Sequence, residues 1–432
     1  MSMSYKSNLN PMFRSKFSED IFNHKYRHEG CETWEALAKT LVDDVCGDLM
    51  TRDECTDLAK AITDMKFIPG GRYLYYAGRQ NKFFNNCYLL KAEEDSRQDW
   101  ANLSWKAESC LMTGGGIGVD YSVYRHEGAP IQRTGGQASG PIPKIQMINE
   151  IGRRVMQGGS RRSAIYASLN WKHQDVGKFL SSKDWASMPV GNTGKSLWDI
   201  KQDDFNFPAP MDMTNISVNY DTEWLLNYYE TGQVGKVFEE NVLQAMKTAE
   251  PGFSFNFFDK ENETLRNACT EVTSEDDSDV CNLGSLNFGR IESLSELSDL
   301  VELSTKFLIC GTLKAHLPYE KVHETREKNR RLGLGFMGVH EWLIKRNYKY
   351  EVTQELHSWL SVYKGVSDKV SKEFAEELSV STPVANRAIA PTGSIGILAG
   401  TSTGVEPIFA VAYKRRYLKG TNRWVYQYVV DS

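Results

Sequence analysis

Apolar residues near the N-terminus recur with the spacing of a helix. Trp34, Leu37, Leu41, Val42 and Val45 fall on one face, and a second helix is predicted over 51–65, opened by the capping-type residues Thr51 and Asp53. The helical pattern spans residues 14–66 and ends at the turn Pro69-Gly70-Gly71. Beyond it, short apolar runs at 86–90, 114–120, 215–219, 252–256 and 281–286 read as strands. They alternate with helical blocks at 144–156, 223–229, 237–248, 293–312 and 354–378. Such alternation predicts an α/β core with parallel strands, and at this length a barrel. The stretch 184–213, with Pro189, Gly191, Gly194, Pro208 and Pro210, reads as a long loop.

Composition narrows the picture by exclusion. The 432 residues are 41% hydrophobic and 25% charged, ordinary usage for a globular chain. A formal charge of -5 supplies no broad basic field for nucleic acid. The local cluster Arg153-Arg154 and Arg161-Arg162 is a solvated surface, an interface or a phosphate contact. No run approaches the roughly 18 apolar residues that a membrane span needs, and the polar start lacks a signal-peptide core. We therefore expect no nucleic-acid or membrane partner and a cytoplasmic location, the host cytoplasm if the gene is viral. The eight cysteines show no CxxC and no metal-ligand spacing, so no metal site is expected and most should be buried thiols.

Four segments carry candidate chemistry. Asn267-Ala268-Cys269-Thr270-Glu271 places an amide, a thiol and a carboxylate on alternate residues, which an extended loop would turn to one face. A surface loop with an incidental cysteine has the same spacing. Cys87 and Cys281 each enter an apolar strand-like run, as redox thiols or as buried core thiols do. Pro391-Thr392-Gly393-Ser394-Ile395 is a small, hydroxyl-rich stretch suited to an anion at a helix start, or to a plain tight turn. Neither it nor Gly114-Gly115-Gly116-Ile117-Gly118 matches a P-loop or a dinucleotide fingerprint.

The order of these segments resembles the catalytic subunit of class I and class II ribonucleotide reductases. Cys87 is followed by Gly116-Ile117-Gly118, Gln157-Gly158-Gly159, Asn267-x-Cys269-x-Glu271, Cys281 and Pro391-Thr392-Gly393-Ser394. The likeness runs from Phe67 to Pro407. It implies a ten-stranded α/β barrel of the type shared with glycyl-radical enzymes, with Cys269 on a finger loop at its centre, buried and facing Cys87 and Cys281. The expected division is a helical N-terminal segment, 1–66, without an ATP-binding cone, and a barrel over 67–432 lacking its last strands.

By the same resemblance Cys269 would be the thiyl radical that takes the ribose 3′ hydrogen. Glu271 would be the general base and Asn267 would hold the sugar. Cys87 and Cys281 would be the reducing pair. Asn86 would line the sugar site, and Pro391, Thr392, Gly393, Ser394 and Ile395 would bind the substrate phosphates. Asp95 and Arg125 match positions that bind a dNTP or ATP specificity effector. The implied cofactor is adenosylcobalamin, or none in this chain with the radical supplied by a ferritin-like metallo-subunit. The implied partners are a ribonucleotide substrate, a thioredoxin- or glutaredoxin-like reductant, a C-terminal companion fragment and a homodimer mate. The competing readings are an inactive or split fragment that binds nucleotides, a glycyl-radical enzyme, and a thiol oxidoreductase that uses Cys87 and Cys281 alone.

Overall fold

The computed structural model describes residues 10, 12–132, 135–155, 163–419 and 423–430. The expected contributions of Gln157, Gly158, Gly159, Arg161 and Arg162 lie outside the described residues. The chain forms two compact units. The first holds residues 1–86, 280–414 and 428–432, and the second holds 87–279 and 415–427.

The first unit opens with three helices, α1 (Lys16–Lys25), α2 (Trp34–Cys46) and α3 (Arg52–Thr63), then the short strand β1 (Phe67–Pro69) and helix α4 (Gly71–Tyr76). Every residue of the Trp34–Val45 stripe is buried, and Thr51 closes a capping box with Glu54.

In the second unit a regular alternation follows: β2 (Cys87–Lys91), α5 (Arg97–Met112), β3 (Gly116–Asp120), the small ribbon β4 (Pro130–Ile131) and β5 (Gly136–Gln137), α6 (Pro141–Arg154), β6 (Ile165–Asn170), α7 (Val176–Ser181), α8 (Leu197–Asp203), β7 (Thr214–Tyr220), α9 (Thr222–Thr231), α10 (Lys236–Thr248) and β8 (Gly252–Phe255). Strands β2, β3, β6, β7 and β8 pair in parallel in that order, with Cys87 opposite Gly116 and Ile117 opposite Ile165. Helical crossovers between neighbouring parallel strands are what the alternation predicts. The antiparallel pair β9 (Leu265–Arg266) and β10 (Thr273–Ser274) then forms a hairpin.

The chain returns to the first unit in β11 (Asp279–Asn287), whose nine residues are all buried. It continues with α11 (Leu294–Lys314), α12 (Glu320–Asn329), β12 (Leu332–Met337), α13 (Val339–Lys345), α14 (Gln354–Glu377) and α15 (Gly393–Ala399). The last strands, β13 (Ala412–Lys419) and β14 (Arg423–Val430), pair with each other, and most of their residues belong to the second unit. β11 pairs antiparallel with β1 and parallel with β12, and Leu334 bridges to Arg387. One apolar core, from Phe13 through Trp34, Tyr73, Phe307 and Trp342 to Ala399, holds this unit together.

Among the strands that the pattern missed are two of the buried sheet. β6 (Ile-Tyr-Ala-Ser-Leu-Asn) and β12 (Leu-Gly-Leu-Gly-Phe-Met) are buried on both faces, so neither shows the alternation that marks a half-exposed strand. The predicted long loop contains α8, opened by a capping box of Ser196 and Asp199. Among the described residues no helix is long and apolar enough to cross a membrane.

Candidate active site

The loop between β9 and β10 carries Asn267, Cys269 and Glu271, and glycines in the sheet below make room for it. A side chain at Gly118 would collide with the Arg266 carbonyl, and one at Gly116 would reach within 3.2 Å of the Ala268 Cβ. The backbone of the loop therefore lies directly on β3. Polar contacts from two side chains hold it there. Asn215 on β7 donates from Nδ2 to the Ala268 carbonyl at 3.2 Å. Arg266 at the base donates to Ser254 Oγ at 2.8 Å and to Asn256 Oδ1 at 2.9 Å.

The loop is a turn rather than an extended finger. The Thr270 amide donates to the Asn267 carbonyl at 3.0 Å, and Thr270 takes a left-handed φ of 69°. Extended alternation would have put all three side chains on one face. The turn instead brings Asn267 and Glu271 together and lifts Cys269 to the apex. Asn267, fully buried, is the cross-brace. Its Nδ2 donates to Glu271 Oε2 at 2.7 Å and to the Cys87 sulfur at 3.1 Å, while its Oδ1 accepts from the Val272 amide at 3.0 Å. Its amide is thus committed to the loop and to Cys87, rather than presented to a sugar. Burial pushes the Glu271 carboxyl above its usual range, against the opposing pull of its hydrogen bonds.

Cys87 is buried, whereas Cys269 is exposed. That corrects the expectation of a shielded thiol. The turn seats its own backbone on one sheet, and its apex projects away from that support.

In the first unit, Cys281 is buried against Gly333 of β12, where a Cβ would lie 3.1 Å from the sulfur. The Cys281 carbonyl accepts the Asn86 amide at 3.2 Å. The Asn86 side chain fills the space left by Gly70, where a Cβ would come within 2.7 Å of Oδ1. That buried oxygen has no hydrogen-bond partner among the described residues. The Pro391–Ile395 stretch does start a helix. Thr392, at a φ of 52°, precedes α15, and its hydroxyl accepts the Gly404 amide at 2.8 Å. Lys25 donates to Ser394 Oγ at 3.0 Å.

Back in the second unit, Asp95 and Arg125 are ion-paired, and the Arg125 amide donates to Asp95 Oδ2 at 3.2 Å. They line a cavity of about 250 Å³ with Arg97, Trp100, Tyr124 and Ile131.

Sequence reasoning missed Arg266, Asn215 and the seating role of Gly116 and Gly118. The glycines were legible, since glycine inside a strand marks a close backbone approach. Arg266 and Asn215 act through long-range contacts that no local pattern announces.

Comparison with known proteins agrees with this architecture. The ribonucleotide reductase barrel-domain family matches residues 85–200, 213–377 and 384–432. A vitamin B12-dependent ribonucleoside-diphosphate reductase of Thermoplasma acidophilum is 27% identical over 392 residues, covering 84% of this chain and 50% of that protein. A ribonucleoside-diphosphate reductase subunit alpha of Chlamydia muridarum is 25% identical over 388 residues, covering 78% of this chain and 37% of that one. The chain thus spans about half the length, or less, of these relatives. Among solved structures, the class Id ribonucleotide reductase alpha subunit of Actinobacillus ureae superposes with a TM-score of 0.73 at 17% identity, covering 92% of this chain and 76% of that chain. The five parallel strands of the second unit and the loop seated on them are the corresponding α/β barrel architecture, and this chain belongs to the ribonucleotide reductase barrel-domain family.

Proposed function

We propose that the chain reduces the 2′ carbon of a ribonucleoside di- or triphosphate by thiyl-radical chemistry. The observation that carries this reading is the Asn267 brace, which holds the Cys87 sulfur and the Glu271 carboxylate around the turn that bears Cys269. In this reading the Cys269 sulfur, as a thiyl radical, takes the 3′ hydrogen of the ribose. Glu271 accepts the proton of the 3′ hydroxyl. Cys87 and Cys281 supply two electrons and two protons. The C2′–O bond breaks, the oxygen leaves as water, and a sulfur–sulfur bond forms. The unpartnered Asn86 oxygen suits a sugar hydroxyl. The first turn of α15, with Thr392 and Ser394, suits the substrate phosphates.

The exposed position of Cys269 fits a radical source that approaches from outside the loop. Adenosylcobalamin, the cofactor that the name of a Mycobacterium phage D29 relative gives, would supply the one-electron oxidation that removes the thiol hydrogen. A radical-generating partner subunit is the alternative suggested by the alpha-subunit relative. Thioredoxin- or glutaredoxin-like dithiols would restore the Cys87–Cys281 pair. A specificity nucleotide would occupy the Asp95–Arg125 cavity, whose Trp100 and Tyr124 rings lie 4.9 Å apart.

An anaerobic assay tests the reading, with dithiothreitol as reductant and with adenosylcobalamin present or absent. The expected product is a deoxyribonucleotide, formed only when cobalamin is present. Cys269→Ser should abolish turnover while leaving nucleotide binding intact. Persistent turnover in that variant would return the chain to the class of simple thiol oxidoreductases.

A further inference from the structure

A second cavity, of about 600 Å³, lies wholly within the first unit and takes no part in the chemistry above. Its wall carries five cations, Arg14, Lys66, Arg290, Lys345 and Arg346, with Asp64 and Glu292 as its own carboxylates. The ion pairs do not cancel evenly. Lys66 pairs with Glu296, Arg346 with Glu355, and Asp64 is taken by Lys60. Arg14 and Lys345 share one carboxylate, Glu341, at 2.7 and 2.8 Å. Arg290 contacts no carboxylate among the described residues. It donates only to the Asp64 and Ala399 carbonyls, at 3.3 and 3.1 Å, and its buried Nε has no partner. Burial and the neighbouring Arg14 charge pull the Arg290 guanidinium below its usual value, more than Glu341 and Asp64 restore it.

The geometry points to this cavity as a binding site for a phosphate-bearing small molecule, held by Arg290 and Arg14 with Lys345 at its edge. An oxyanion there offsets the surplus charge on the inner wall, where Arg290 lines the cavity and pairs with no carboxylate among the described residues. Planar guanidinium groups are suited to such an anion, because their N–H donors match the spacing of its oxygens. The site also touches the candidate substrate cradle from behind. Arg14 donates to the Gly400 carbonyl at 2.9 Å and Arg290 to that of Ala399, so both arginines satisfy the C-terminal end of α15. An anion that draws them into the cavity competes with those caps and loosens the helix whose first turn carries Thr392 and Ser394.

Isothermal titration with inorganic pyrophosphate tests the site. Among the described residues Glu292, exposed at the rim, uses only its backbone amide in a hydrogen bond, so Glu292→Lys leaves the fold intact. It is expected to tighten pyrophosphate binding severalfold, with a steeper salt dependence. Arg290→Gln is expected to weaken it about tenfold, the loss of a charge-assisted hydrogen bond. Binding that both variants leave unchanged places pyrophosphate elsewhere and overturns the proposal, as does the absence of any binding by the wild-type chain.

Discussion

The Asn267 side chain is the residue on which the candidate site turns. One amide nitrogen joins a half-buried carboxylate to a buried thiol. Glu271 shows the consequence. Because burial raises its folded-state value above the ordinary 4.5, the protonated form is favoured in the fold. Its contribution to stability is therefore present at low pH and is lost as the pH rises through the raised value. Activity runs the other way, since a general base must be ionised. We predict that kcat falls on the acid side with a midpoint above 4.5, and that Glu271→Gln removes this limb while slowing turnover by about 10²-fold. A pH–rate profile of both proteins checks it. An acid limb that survives in the variant would assign the titration to another group.

At the scale of elements, the seat of the loop on β3 is the most demanding contact. Any side chain at Gly118 must displace the Arg266 carbonyl, and with it the hairpin that carries Asn267 and Glu271. Gly118→Ala is predicted to cost about 1–3 kcal/mol of stability, the usual range for overpacking. Turnover should fall by about 10²-fold, as expected when reacting groups shift by about 1 Å. Chemical denaturation and steady-state rates measure the two effects separately. Gly177, by contrast, has open space around its missing Cβ, and Gly177→Ala should leave the rate unchanged. Legibility divides along the same line. Helices α2 and α3 could be read because their apolar stripe and caps are local. β6 and β12 could not, because burial on both faces erases the period that distinguishes strand from core helix.

For the whole molecule, Lys144 links one buried charge to global stability. It is fully buried on α6 and donates to the Trp100 carbonyl and to Ser104 Oγ, with its ammonium 5.1 Å from the Trp100 ring centre. Burial lowers its value from 10.5 to about 8. The unfolded chain therefore holds more protons than the folded one between those values, and stability should rise with pH across that window. The expected slope is about 1 kcal/mol per pH unit. Lys144→Met should flatten it, as urea melts at pH 7.5 to 9.5 would register. An equal slope in both proteins would refute the assignment.

The amino-acid order alone determined the helical start, the strand–helix alternation, and the succession of Cys87, Asn267-x-Cys269-x-Glu271, Cys281 and Thr392-Gly393-Ser394, because each is a local pattern of residue type and spacing. Only the tertiary structure decided that Asn267 ties Cys87 to Glu271 across 180 residues, that the Thr270 turn exposes Cys269, and that five cations gather around one cavity. Those outcomes depend on which backbones approach closely enough to exclude a side chain or satisfy a buried polar atom. Such distances follow from packing between segments remote in the chain, which no window of sequence contains.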